Sequence, residues 1–88
     1  MDEKIERWVA EGRITEALAE LEKYPDGQQG EAWLMYTGEL CYRLGKNTDA
    51  LNKFNAVLRL NPENEKARAY VEMINGVLDF FCKDLLNP

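Results

Sequence analysis

Residues 31–64 read EAWLMYTGELCYRLGKNTDALNKFNAVLRLNPEN, and this stretch decides the fold class. Apolar residues recur in it at spacings of three and four on both sides of Gly45. That spacing is typical of amphipathic helices, whereas a strand alternates apolar and polar residues. Gly45 and the Asn61-Pro62 pair are strong helix breakers. The stretch therefore predicts two helices, at 30–44 and 48–60, joined by a turn.

The flanking sequence continues the helical pattern in both directions. Gly12 and the segment Tyr24–Gly27 divide the first part of the chain, and one long periodic run follows Pro62. Asp2 is the predicted N-cap of the first helix, and Asn47 or Thr48 that of the fourth. Helices joined by short turns pack against each other in opposite directions. The sequence thus predicts one all-α domain of five antiparallel helices, at 2–11, 14–23, 30–44, 48–60 and 64–85.

The two central helices also predict a core and some surface ion pairs. Acidic residues stand four positions before basic ones at Glu39→Arg43 and Asp49→Lys53, the arrangement that favours pairing along a helix. The apolar faces predict that the core between these helices is formed by Leu34, Gly38, Cys41, Ala50, Phe54, Val57 and Leu58. Neither Cys41 nor Cys82 has the neighbours of a metal or redox motif, so both are interpreted as reduced core thiols.

Composition excludes several classes of function. The chain has 88 residues, is 45% hydrophobic and 31% charged, and carries a net charge of −5, which suits one folded domain. Residues 1–26 hold eight acids and four bases, an excess that repels nucleic acids and anionic membranes. No apolar run is long enough to span a membrane, and no signal peptide is visible, so a cytoplasmic protein is expected.

The inventory of reactive side chains is equally restrictive. The sequence contains neither histidine nor serine, and it has no glycine-rich phosphate-binding loop. Without these groups no nucleophile–base pair can be assembled. We therefore expect no catalytic residue, no cofactor and no stoichiometric metal.

The spacing of glycines and alanines indicates an internal repeat. Gly12 and Gly45 lie 33 residues apart, and each is followed five residues later by an alanine, at Ala17 and Ala50. This spacing resembles the 34-residue period of the tetratricopeptide repeat family. Within residues 31–64, the positions that match the family's pattern are Gly38, Gly45, Ala50, Phe54 and Pro62.

The resemblance implies a fragment of an α-solenoid. Residues 1–25 would form a degenerate repeat, residues 31–64 a full helix–turn–helix repeat, and residues 65–88 a capping helix. A terminal cap of this kind shields the open apolar face of the last repeat. The whole chain would then be one domain of the tetratricopeptide type.

The resemblance also implies a function and a site. Repeats of this family bind a peptide or protein segment in a groove lined by the first helix of each pair. The groove residues implied in this sequence are Met35, Glu39, Tyr42, Arg43, Lys66, Ala69 and Met73, with Asp2, Glu6 and Val9 on the first helix. Some members clamp a terminal carboxylate with lysine and asparagine where this sequence has Met35 and Glu39, so that ligand is not expected.

The last helix leaves a second function open. One apolar stripe on it is sufficient for docking on the preceding pair and is formed by Val71, Ile74, Leu78, Phe81 and Leu85. A second apolar set lies beside that stripe, formed by Met73, Val77 and Phe80 and extended by Tyr70. Either the helix tilts and buries both sets, or the second set is the interface of a two-fold homodimer. The two hypotheses are thus a peptide-binding module and a structural, self-associating helical protein.

Overall fold

The structure is a computed structural model that describes the backbone of residues 2–86 and the side chains of residues 2–78. Its helices are α1 (Glu3–Ala10), α2 (Ile14–Leu21), α3 (Glu31–Arg43), α4 (Asn47–Leu60) and α5 (Glu65–Leu86). These bounds confirm the all-α prediction, since every predicted helix end lies within two residues of the observed one. The described residues contain no strand. A short 3₁₀ turn at Asp26–Gln28, which the sequence analysis did not predict, links α2 to α3.

A glutamate at the start of α3 shows how the last three helices are arranged. The Glu31 carboxylate accepts hydrogen bonds from Asn61 Nδ2 at 3.0 Å and from Asn64 Nδ2 at 2.7 Å. Because Asn61 follows the end of α4, α3 and α4 run in opposite directions. Asn64 also accepts from the Ala67 backbone N–H at 2.9 Å, which caps the start of α5. One carboxylate therefore joins three helix ends, and α5 runs in the same direction as α3.

The two glycine turns have the same hydrogen-bond pattern. Gly12 and Gly45 have φ values of +83° and +77°, in the left-handed region that glycine adopts without strain. The next residue in each turn donates to a carbonyl five positions back, from Arg13 to Trp8 at 2.7 Å and from Lys46 to Cys41 at 2.9 Å. This pattern is the Schellman motif, which ends a helix and reverses the chain.

The turn at Gly45 corrects the predicted cap of α4. The residue at the N-cap position is Lys46, and its side chain makes no capping hydrogen bond. Its carbonyl accepts from the Ala50 N–H at 2.9 Å, so the helix begins directly after the Schellman turn. Asn47 and Thr48 consequently fall inside the first turn of α4, where neither can cap it.

The core is formed between successive helices, because each helix packs mainly against the helices next to it in the chain. Five of the seven predicted core residues are buried, namely Gly38, Cys41, Ala50, Phe54 and Val57, whereas Leu34 and Leu58 are only half-buried. Leu34 lines an open cavity of about 360 Å³ between α2 and α4. The eight residues of α2 are too few to cover this space, which accounts for the exposure of Leu34.

Trp33 connects α3 to the helices on either side. Its indole N–H donates to the Leu21 carbonyl at 2.9 Å, which satisfies a backbone acceptor at the end of α2. The Lys53 ammonium lies 4.7 Å from the centre of the same ring. Lys53 thus makes a cation–π contact with Trp33 instead of the predicted ion pair with Asp49. Lys53 therefore makes a contact between α4 and α3 in place of a pair within α4.

Candidate binding groove

An open depression lies between α3 and α5, on the side of the molecule predicted to form a groove. Its volume is about 290 Å³, and its lining residues are Tyr42, Lys66, Ala69, Tyr70 and Met73. Four of these were implied by the sequence analysis, and the structure brings them together. Tyr70 was missed as a groove residue. Its position four residues after Lys66 and three before Met73 is the signal that could have placed it on the same helix face.

Aromatic packing fixes the floor of this depression to the core. The Tyr70 ring stacks on the Phe54 ring, with centroids 4.4 Å apart and planes within 4°. Phe54 is completely buried. The Tyr42 ring meets Tyr70 edge-on at 5.5 Å and 69°, a favourable arrangement for two aromatic quadrupoles. The floor is therefore held in position by Phe54, the α4 residue that packs between α3 and α5.

One side of the depression is closed by a contact from a hydroxyl to a thioether. Tyr42 Oη donates to Met73 Sδ at 3.5 Å, and this contact connects α3 to α5. Met73 is 44% exposed, so it presents a large apolar surface to solvent beside the tyrosine. Methionine side chains adapt to ligands of different shape because they are unbranched and polarisable. The wall formed by Met73 is therefore suited to an apolar ligand group.

Glu39 and Lys66 form an ion pair at the other side of the depression. Lys66 Nζ lies 2.7 Å from Glu39 Oε1, and the ammonium is the more exposed partner. Contact with the Glu39 carboxylate raises the pKa of Lys66 above its usual value. The predicted pairing of Glu39 with Arg43 is wrong, because Glu39 faces α5 across the groove. The ammonium that meets it comes from another helix, which a rule based on spacing within one helix cannot identify.

The remaining predicted groove residues do not line the depression. Met35 is half-buried against the core, and Arg43 is exposed in the last turn of α3. On α1, Asp2 and Glu6 are exposed and Val9 is half-buried. Asp2 caps α1 as predicted, since its carboxylate accepts from the Lys4 backbone N–H at 2.9 Å.

The pKa of Tyr36 on α3 is influenced by charges on two helices. Burial raises the pKa of Tyr36, and the carboxylate of Glu6 raises it further. The positive charge of Arg43 lowers the pKa of Tyr36, and the negative charge of Glu39 raises it. Tyr36 is therefore close enough to charged groups of both α1 and α3 for them to influence its pKa.

The predicted self-interface is described only in part. Met73 is exposed and Val77 is half-buried. The side chain of Phe80 lies outside the described residues, as do those of Phe81, Cys82 and Leu85. Within residues 2–78, Met73 therefore belongs to both of the surfaces predicted from the sequence.

Among the described residues, no cluster of three or more acidic, cysteine or histidine ligands could hold a metal ion. The Cys41 thiol is buried, and burial raises its pKa, which keeps it protonated and unreactive. No helix in the described part of the chain has the length and apolarity needed to cross a membrane. The depression between α3 and α5 can receive an apolar group and present one ammonium to it.

Comparison with known proteins returns no match: no protein-family model, no curated protein and no solved structure is similar to this chain.

Proposed function

We propose that this chain is a protein-interaction module that binds a peptide or protein segment in the groove formed by α1, α3 and α5. The observation that carries the proposal is the open depression between α3 and α5, whose aromatic floor rests on the buried Phe54. Shallow apolar surfaces built on rigid aromatic residues are typical of interaction sites. The proposal includes a cytoplasmic location and no catalytic activity.

Similarities between the two halves of the chain support a tetratricopeptide-like arrangement. The Schellman turns at Gly12 and Gly45 are offset by 33 residues. At the same offset, Ala17 and Ala50 are both completely buried, as are Leu21 and Phe54. Equivalent positions therefore play equivalent packing roles in the two helix pairs. In such an arrangement, α1, α3 and α5 would lie side by side along one face, where the proposed ligand would bind.

The test is to select peptides from a phage-displayed library of random 12-residue peptides with the purified chain. Affinities of the selected peptides are then measured by fluorescence anisotropy for the wild type and for Tyr42→Ala and Met73→Ala. Each substitution should weaken binding about tenfold, as loss of a central interface side chain commonly does. Leu60→Ala is the matched control, because Leu60 is 61% exposed and lies outside the groove at the end of α4.

Circular dichroism and thermal melting of each variant separate lost binding from lost folding. Selected peptides whose affinities are unchanged by both Tyr42→Ala and Met73→Ala would show that the groove is not the binding surface. Failure to select any peptide that binds the wild type would count against the proposal as well.

Self-association through α5 is the second candidate function. The observation that favours it is the exposure of Met73, which leaves part of an apolar stripe of α5 uncovered. Sedimentation of the wild type and of Phe80→Glu at about 100 μM tests it, since micromolar association is visible at that concentration. A wild type that remains monomeric excludes the dimer. Because Met73 also lines the depression, a dimer formed through it would compete with peptide binding.

A further inference from the structure

We propose that Met73 is a modification site at which oxidation by a peroxide weakens binding in the depression between α3 and α5. This inference rests on the proposed function and names the regulation of that same site. Hydrogen peroxide would add one oxygen to the Met73 thioether, and the sulfoxide formed would make one wall of the depression polar.

The first step concerns access of the oxidant to the sulfur. Of the two methionines within residues 2–78, Met73 is 44% exposed, whereas Met35 is half-buried against the core. Oxidation of a thioether requires that the peroxide reach it, and exposed side chains are reached first. Met73 should therefore be oxidised before Met35.

The second step is the reaction. A lone pair of Met73 Sδ attacks one oxygen of hydrogen peroxide, so that an S–O bond forms while the O–O bond breaks. The sulfur is oxidised by two electrons and the peroxide is reduced by two. The proton on the transferred oxygen passes to the departing hydroxide, which leaves as water, and the product is methionine sulfoxide.

The third step concerns the hydroxyl group beside the sulfur. Tyr42 Oη donates to Met73 Sδ at 3.5 Å, and a thioether is a weak acceptor. The oxygen added to this sulfur is a polar acceptor beside the same hydroxyl, which can donate to it in place of the sulfur. The contact between α3 and α5 is thereby kept, so the helices should remain in place after oxidation.

The fourth step is the effect on a ligand. Besides Tyr42 and Met73, the depression is lined by Lys66, Ala69 and Tyr70. An apolar ligand group that packs against the thioether of the reduced protein would cover the sulfoxide oxygen of the oxidised one. Removal of a polar group from water costs free energy unless all its hydrogen bonds are replaced. Oxidation should therefore weaken binding without unfolding the protein.

The first measurement locates the oxidation. All proteins carry Cys82→Ala, because peroxide also oxidises thiols, and are treated with increasing hydrogen peroxide. Trypsin separates the two methionines into the peptides 24–43 and 69–83, whose oxidation is followed by tandem mass spectrometry. Met73 should be converted to the sulfoxide while Met35 is still largely unmodified. Equal rates for the two methionines would overturn the proposal.

The second measurement is binding of the peptides whose selection depends on Tyr42. Oxidation of Met73 should weaken their affinity about tenfold, as expected for a polar group that is buried with incomplete hydrogen bonding. Methionine sulfoxide reductases should restore the affinity. Met73→Leu and Met35→Leu are the matched pair, each compared with its own untreated form. Peroxide should not change the affinity of Met73→Leu, whereas it should weaken that of Met35→Leu as in the wild type.

Thermal melting tests the part played by Tyr42. Oxidation should change the melting temperature of the wild type little, because the hydroxyl group donates to the sulfoxide oxygen. In Tyr42→Phe, the same oxidation should lower it by about 2–4 °C, the effect of losing a weak hydrogen bond in a domain of this size. Equal shifts in the two proteins would disprove the role given to the hydroxyl group. Loss of the helical circular dichroism signal on oxidation would overturn the proposal, since binding would then fail through unfolding.

The outcomes separate this inference from the proposed function. Peptides that depend on Tyr42 but bind equally well before and after complete oxidation of Met73 would overturn the regulation alone. Selected peptides that are insensitive to both Tyr42→Ala and Met73→Ala would overturn the proposed function and this inference together.

Discussion

The ring of Phe54 lies directly against the α-carbon of Gly38. A β-carbon added at Gly38 would lie 2.9 Å from Phe54 Cε1, 3.0 Å from Phe54 Cζ and 3.2 Å from Lys53 Cβ. The phenyl ring cannot move away freely, since it is completely buried and stacked on Tyr70. The absence of a side chain at Gly38 thus determines how closely α3 and α4 approach.

Replacement of Gly38 by alanine should destabilise the protein. Overpacking of this kind typically costs about 1–3 kcal/mol, which exceeds the gain of up to about 1 kcal/mol in helix propensity. Gly76→Ala is the matched control, because Gly76 also lies inside a helix but has open space around it. It should be neutral or stabilising by up to about 1 kcal/mol. Urea denaturation measures both, and a Gly38→Ala protein more stable than the wild type would contradict the packing described here.

Truncation of Phe54 should have a far larger effect. Phe54→Ala removes the ring that separates α3 from α5 and should lower the free energy of unfolding by about 3–5 kcal/mol. Natural domains have only about 5–15 kcal/mol in total, so the variant should be close to unfolding. Thermal melting followed by circular dichroism measures the loss, with the exposed Leu60→Ala as control. A melting temperature within a few degrees of the wild type would disprove the central role of this ring.

The turn glycines should resist substitution for a backbone reason. Gly45→Ala forces a β-carbon into the left-handed region at φ +77° and should cost about 1 kcal/mol, although nothing crowds the position. Gly45→Asn should cost less, because asparagine tolerates this region. Gly27→Ala, at an uncrowded exposed glycine without positive φ, is the control. Equal stability of the Gly45→Ala and Gly27→Ala proteins in urea would argue against backbone strain.

Stability should depend on pH through Glu31. Hydrogen bonds from Asn61 and then Asn64 hold the pKa of Glu31 below its usual value of 4.5. The stabilisation is therefore complete above the unfolded pKa and is lost as pH falls through the lower, folded pKa. Glu31→Gln should destabilise the protein at about pH 7, and the difference from the wild type should shrink towards about pH 3.

The exposed Glu72→Gln removes the same charge from α5 and serves as the reference for the pH experiment. Subtraction of its effect at each pH isolates the contribution of the two asparagines. A difference between wild type and Glu31→Gln that stays constant from neutral to acidic pH would show that the charge of Glu31 plays no part in joining the helix ends.

Local patterns in the sequence were sufficient to predict the helices and most of the central core. The spacing of apolar residues and the breaks at Gly12, Gly45 and Pro62 depend on neighbours in the chain, and these predictions agree with the structure. The burial of Leu34 was overestimated because it depends on how far α2 extends over α3.

Contacts between distant segments could not be predicted in the same way. Glu39 pairs with Lys66, 27 residues further along, and Lys53 contacts the Trp33 ring and not the nearby Asp49. Both contacts depend on the relative position of two packed helices, which cannot be inferred from residue spacing within one helix. The family resemblance placed Tyr42 and Met73 on one face, and the structure adds Tyr70 to the depression that they line.

The packing of each helix mainly on its neighbours in the chain has a consequence for how the protein opens. In a linear arrangement of this kind, an end can detach while the centre remains intact. The α1–α2 end can therefore fray without breaking the contact of Gly38 with Phe54. Amide protons of α3 and α4 should exchange with solvent through global unfolding, whereas those of α1 should exchange through smaller local openings. The α1–α2 pair is thus expected to open before the central helices do.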